Sequence, residues 1–95
     1  MIIELAFITI HQGSETPFEA IFPTAEKILK ASQGYLGHDL RRSVETPNRY
    51  CLTVQWQTLA DHTVGFRGSA AFTQWRALIG PFFEIAPVVE HFEAL

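Results

Sequence analysis

The sequence predicts one α+β domain whose elements follow the order β-α-β-β-α-β, and three observations predict it. Residues 35–44 and 49–57 both alternate on the two-residue period of a strand and are separated by the turn signal Glu45-Thr46-Pro47-Asn48, so they should pair as a hairpin. Two other stretches repeat apolar residues at helical spacing behind capping residues. Strand-like segments rich in β-branched and aromatic residues stand at both ends of the chain. That order is the ferredoxin-like split βαβ motif, an antiparallel four-stranded sheet with its helices on one face.

The first strand, Ile2 to His11, has apolar residues in both alternating sets, Ile2/Ala6/Ile8/Ile10 and Ile3/Leu5/Phe7, so it should be covered on both faces. Gly13 and Ser14 end it. Thr16-Pro17-Phe18-Glu19 then offers an N-cap, a proline in the first helical position and a capping-box acid. Phe18, Ile21, Phe22, Ala25, Ile28 and Leu29 make one helical stripe, and Pro23 predicts a break in it. After Gly34, the second strand sets Leu36, His38, Leu40, Arg42 and Val44 against Tyr35, Gly37, Asp39, Arg41 and Ser43. The third sets Tyr50, Leu52, Val54 and Trp56 against Arg49, Cys51, Thr53 and Gln55. Thr58-Leu59-Ala60-Asp61 repeats the capping-box spacing and opens a short helix, and Ser69 caps a second piece carrying Phe72, Trp75, Leu78 and Ile79. Gly80-Pro81 stops that helix, Phe82 and Phe83 come next in a loop, and Val88 to Glu93 is the last strand.

At 95 residues only one domain, residues 1–95, is expected. So short a chain exposes much of its surface, and two Trp, two Tyr and eight Phe are more aromatic surface than its own core readily hides. Self-association or a ligand pocket would use the excess. A sheet covered by helices on one face, with both faces apolar on the first strand, is most simply closed by packing against the sheet of a second copy. The net charge of -3, with no run of Lys or Arg, gives no nucleic-acid footprint. The lone Cys51 excludes an intrachain disulfide and multi-cysteine metal patterns, suits a reducing compartment, and is expected as buried strand filler. The opening residues lack a basic leader and read as strand, and no apolar run approaches the roughly 20 residues that span a membrane. A cytoplasmic protein is expected.

The segment GYLGHDLRRSVETPNRYCLTVQWQTLADHTVGFRGSAAFTQWRALIGPFF, together with PVVEHFE after it, resembles the antibiotic biosynthesis monooxygenase domain. The shared pattern is a glycine-led strand, a hairpin, a strand ending in an aromatic with W-x-T/S, a helix beginning near L-x-D/A-H, and S-x-x-F-x-x-W. The resemblance implies a dimeric α+β barrel, each subunit carrying a pocket between sheet and helices. It also implies a monooxygenase needing no cofactor, acting on a small aromatic, polyketide-like or quinol substrate and O₂. The haem-degrading branch of this superfamily uses an Asn on the first strand and a Trp and His on the last helix. Here those places hold Ala6, Phe66 and Arg76, so that branch is not expected.

Cofactor-free oxygenation needs a substrate made electron-rich by deprotonation, an apolar pocket, and a polar group to take the proton or stabilise the anion. His38 and Arg42 share one face of the second strand and are candidates for base and anion stabiliser. His62, paired at i,i+4 with Phe66 on the short helix, is a third catalytic candidate, and the resemblance places a histidine there. Tyr50, Trp56, Phe66, Trp75 and Phe82 are the candidate substrate-binding residues, and either Phe82 or Phe83 is expected at the pocket mouth or against a partner copy. His91 and Glu93, with His38 or His11, supply metal-ligand types without a fixed separation, so no metal is expected. Gly65-Phe66-Arg67-Gly68 has the wrong spacing and context for a nucleotide turn, and no cofactor is expected. Two other functions fit the same features: a non-catalytic small-molecule-binding or dimerisation module, and an isomerase-like enzyme with a histidine base.

Overall fold

A computed structural model describes residues 1–95. Strands β1 (Ile2–Thr9), β2 (Tyr35–Arg42), β3 (Arg49–Trp56) and β4 (Val88–Glu93) form one antiparallel sheet in the spatial order β2-β3-β1-β4. Helices α1 (Glu15–Lys30) and α2 (Ala70–Ile79) pack on one face of it, which is the ferredoxin-like βαββαβ arrangement. The period of two decides what enters the core. Ala6 and Ile8 of β1, and Ile10 just beyond it, meet Tyr50, Leu52, Val54 and Trp56 of β3 under Phe18, Phe22, Ala25 and Leu29 of α1 and Trp75 and Ile79 of α2. Burying each large side chain of this set stabilises the fold by roughly 1.5–3 kcal/mol. Asn48 in the hairpin turn is buried as well, exchanging hydrogen bonds with Ile10 through its side-chain Nδ2 (2.8 Å) and its main-chain carbonyl (2.9 Å).

Several expectations are corrected. Helix α1 runs unbroken through Pro23. The proline is exposed, as is Glu19, whose carbonyl loses its partner, so water can satisfy that group while the packed stripe holds the helix together. The helix also starts earlier than predicted, at Glu15 rather than behind a Thr16 cap, and Ser14 uses its hydroxyl to bond the His11 carbonyl instead of capping. Pro17 falls third in the helix, where its missing N–H costs nothing. A bulge between Tyr35 and Gly37 turns the start of β2 over. The core-facing row is therefore Tyr35, His38, Leu40 and Arg42, while Leu36 is extruded and exposed.

The second helical region begins with the expected cap. The Asp61 carboxylate accepts from the Thr58 N–H and hydroxyl while the Asp61 N–H donates back to Thr58 Oγ1. The capped segment, Asp61–Phe66, is one turn of π-helix rather than α-helix. Such turns are rare and concentrate at functional sites. Ser69 caps α2 by accepting from the Phe72 N–H.

The other sheet face has no cover within the chain. It carries Ile3, Leu5 and Phe7 of β1, Cys51 of β3, and Val88 and Phe92 of β4, with Phe7, Val88 and Phe92 exposed. Cys51 is half-buried on this face rather than in the core, and the Arg49 guanidinium lies 4.6 Å from the Phe7 ring centroid.

Candidate active site

Between the sheet and α2 lies a cavity of about 510 Å³, the size of a small-molecule site. Its walls are apolar: Ala6 and Ile8 of β1, Leu52 and Val54 of β3, Phe66, Phe72, Trp75 and Ile79 on the helical side, and Phe83 beyond the end of α2. Into this apolar space open Glu4 and His62, and Arg67 and Arg76 also line it.

Glu4 stands in the core-facing row of β1, between Ile2 and Ala6 and opposite Val54. Its side chain is buried and its Oε1 accepts the Trp56 indole N–H at 3.0 Å and lies 3.2 Å from His62 Nε2. No buried side-chain nitrogen or oxygen lacks a partner, so Oε2, which makes no such bond, keeps accessible surface. The π-helical turn carries His62 over the end of the sheet, where its ring stacks on Trp56 at 5.3 Å between centroids. His62 Nδ1 is 2.8 Å from Nε2 of His91, which β1–β4 pairing sets directly opposite Glu4. Trp56 thus bonds Glu4 and His91 bonds His62, and the Glu4 carboxylate and the His62 imidazole meet at 3.2 Å where they line the cavity.

Burial sets the basicities. It raises the Glu4 pKa above the usual carboxylate value, and the Trp56 hydrogen bond and the Arg67 charge only partly offset this. Burial pushes His62 down to about 4, with Arg67 and His91 adding to the effect, so its imidazole is neutral at physiological pH. His91 is lowered by burial and then by Arg67.

Of the residues singled out in the sequence, His62, Phe66 and Trp75 line this cavity. His38 and Arg42 do face the helices, but α1 rather than α2, and they line a separate open groove with Glu19, Glu26 and Tyr50. There His38 is bonded on both nitrogens, Nδ1 to the Tyr35 hydroxyl and Nε2 to Glu26, each at 2.5 Å. Arg42 donates to the Pro47 carbonyl at 2.8 Å and pairs loosely with Glu19 at 3.5 Å. Tyr50 turns its hydroxyl to Glu19 at 2.6 Å, and burial together with that acceptor raises its pKa far above the ordinary phenol value. Trp56 lies behind His62 rather than on the cavity wall. Phe82 packs edge-on against Phe18 in the core, and its neighbour Phe83 is the one at the cavity. The structure therefore does not bring His38 and Arg42 together with His62.

Glu4 was the residue that sequence reasoning missed, although it left a signal: an acid in the middle of an otherwise apolar period-two row. Glu4, His62 and His91 do not form a group able to hold a metal ion, nor does any other set of side chains.

The family model described as antibiotic biosynthesis monooxygenase matches residues 1–78. The chain is 42% identical to an uncharacterized protein of Bacillus subtilis (strain 168), YczJ, over 98% of each chain. A crystal structure from Bordetella bronchiseptica that carries the same family name superposes with a TM-score of 0.95 at 40% identity, covering 99% of this chain and 96% of that one. SnoaB, a cofactor-independent oxygenase from Streptomyces nogalater, shares the fold at a TM-score of 0.84 and 17% identity, over 99% of this chain and 92% of its own. By its sequence, its fold and these matches, the chain belongs to the antibiotic biosynthesis monooxygenase family.

Proposed function

We propose that this protein is a cofactor-independent monooxygenase of a small aromatic, phenolic or quinol substrate, with Glu4 as the base and His62 as the group that orients it. The observation that carries this reading is an apolar cavity lined at its floor by a buried carboxylate of raised basicity that lies 3.2 Å from a neutral imidazole. A carboxylate in that setting holds a proton better than one in water and is matched to a weakly acidic C–H or O–H. For an anthrone-type methylene the overall change is R₂CH₂ + O₂ → R₂CO + H₂O. Glu4 takes one proton and leaves a delocalised anion. The anion gives an electron to O₂ and combines with the resulting superoxide, and the carboxyl proton returns to the peroxide. Loss of the second C–H proton with cleavage of the O–O bond releases water. Arg67, at the cavity wall, supplies positive charge near the developing anion.

The covered cavity face and the uncovered apolar sheet face support action as a homodimer, sheet against sheet. The single free cysteine suits the cytoplasm. No helix is long and apolar enough to cross a membrane.

The test is oxygen uptake by purified, metal-free protein against a panel of anthrones, hydroquinols and catechols, beside Glu4→Gln. Uptake by the native protein that falls by about 10²-fold or more in the variant is the expected result. An isomerase-like use of the same base predicts instead that the native protein exchanges substrate C–H for deuterium without oxygen and consumes none. Absence of both activities across the panel would favour a binding module.

A further inference from the structure

Glu4 and His62 on the cavity floor, with Trp56 and His91 behind them, have few ways to satisfy one another. The Trp56 indole N–H can only donate, so Glu4 Oε1 must accept from it. A proton placed on Oε1 would sit against that N–H, so Glu4 serves both neighbours best as a carboxylate, with the positive end of a His62 Nε2–H dipole rather than a lone pair 3.2 Å away. His62 then has no proton on Nδ1 and needs a donor there. The atom 2.8 Å away is Nε2 of His91. Its proton completes the arrangement: His91 Nε2–H donates to His62 Nδ1, and His62 keeps its own proton on Nε2, 3.2 Å from Glu4 Oε1.

We infer that His91 is a positioning residue of this site: it holds His62 in its Nε2–H tautomer and so keeps Glu4 the ionised, correctly aimed base. The inference rests on the reading of the cavity as a proton-abstracting site. His91 does not line the cavity and touches no substrate in it. It acts through His62, as an outer residue sets the tautomer of an inner histidine. Its place is fixed by sheet register. Glu4 and His91 are cross-strand partners in β1–β4, so both side chains reach the helix-covered face, and a slip of one residue would turn His91 onto the open face. His91 also lies beyond residues 1–78, the part of the chain that the family model matches. When the donor is removed, His62 can carry its proton on Nδ1, which sets the Nε2 lone pair against the Glu4 carboxylate. That arrangement is relieved by protonating Glu4, which destroys the base.

Two variants and two readouts test this. His91→Leu removes the donor, and His91→Gln restores one, because its amide nitrogen reaches near the Nε2 position. His91 is half-buried near the chain end, so both variants are expected to fold. In ¹⁵N-histidine-labelled protein at neutral pH, long-range ¹H–¹⁵N spectra should give Nε2–H tautomers for both His62 and His91. In His91→Leu, His62 should become a mixture of tautomers, and kcat for anthrone oxygenation should fall about tenfold or more while KM stays within about twofold. His91→Gln should recover both. An unchanged His62 spectrum and kcat in His91→Leu would overturn the inference, as would a glutamine variant that behaves like the leucine one. If the native protein takes up no oxygen, the oxygenase reading fails by itself. The spectra then decide the role of His91: a tautomer lost with leucine and regained with glutamine supports it, and an unchanged tautomer refutes it.

Discussion

Among the single residues, His62 does the most to tie the site to stability. Its folded pKa, about 4, lies below the ordinary histidine value of 6.5. Between those values the unfolded chain binds a proton that the native state refuses, so stability falls as pH drops from about 6.5 toward 4. The full loss is about 3 kcal/mol by linkage. Glu4 has the opposite sign. Its pKa is raised, so the native state binds the extra proton and stability falls as pH rises from 4.5 through the folded value. Replacing His62 with glutamine, which can still donate to Glu4 but does not titrate, isolates the histidine. Denaturant melts from pH 7 to pH 4 should fall more steeply for the native protein than for His62→Gln, and parallel curves would show that His62 titrates normally. The same residue scale explains which site residues are legible in the sequence. His62 is legible because histidine beside a capping acid is an uncommon type in a recognised place. Glu4 reads as an ordinary strand residue, because a lone acid in a strand usually faces water and only register places this one under the helices.

The elements hold the site in place through a few tight contacts. Gly34 takes a left-handed backbone (φ +82°), and a side chain there would overlap the Asp61 carboxylate that caps the π-helical turn. Gly34→Ala therefore meets both a backbone penalty and a displaced cap. It is expected to cost about 2–4 kcal/mol in chemical denaturation and to lower the proposed oxygenation, because His62 comes directly after Asp61. Pro23 gives a contrasting case. It interrupts the hydrogen bonds of α1 without bending its packed face, so Pro23→Ala should restore one bond and raise stability by about 1 kcal/mol in the same melts. Both capping residues after β3, Thr58 and Ser69, are legible from spacing because a cap is a local event. The continuity of α1 is not, because it depends on Phe18, Phe22, Ala25 and Leu29 finding the sheet. The bulge at the start of β2 is equally hidden. It exchanges Leu36 for Tyr35 in the inner row without changing the composition of the strand.

For the whole molecule, the uncovered second face of the sheet has a direct consequence. Ile3, Leu5, Phe7, Val88 and Phe92 make an apolar surface on one side of a thin domain, and burying it between two copies would also cover Cys51. Light scattering at micromolar concentration is expected to give twice the chain mass. Phe7→Glu should shift that mass to the monomer, and Cys51 should then react faster with a thiol reagent. A native protein that is monomeric at that concentration would dispose of the sheet-on-sheet arrangement.

By itself the sequence determined the element order, the family, the apolar identity of the core and the presence of excess apolar surface. All of these come from local periodicity, capping chemistry and composition, which need no knowledge of what lies across the fold. Only the tertiary structure decided which polar residues meet. His38 and Arg42 sit on a helix-facing row as expected, yet the groove they reach belongs to α1, whereas the cavity opens under α2. Glu4, His62 and His91 come from the first strand, a π-helical turn and the last strand, and they converge through β1–β4 register and the placement of that turn over Trp56. Contacts between residues so far apart in the chain carry no local pattern, because pairing register and packing direction are properties of the closed sheet and not of any one segment.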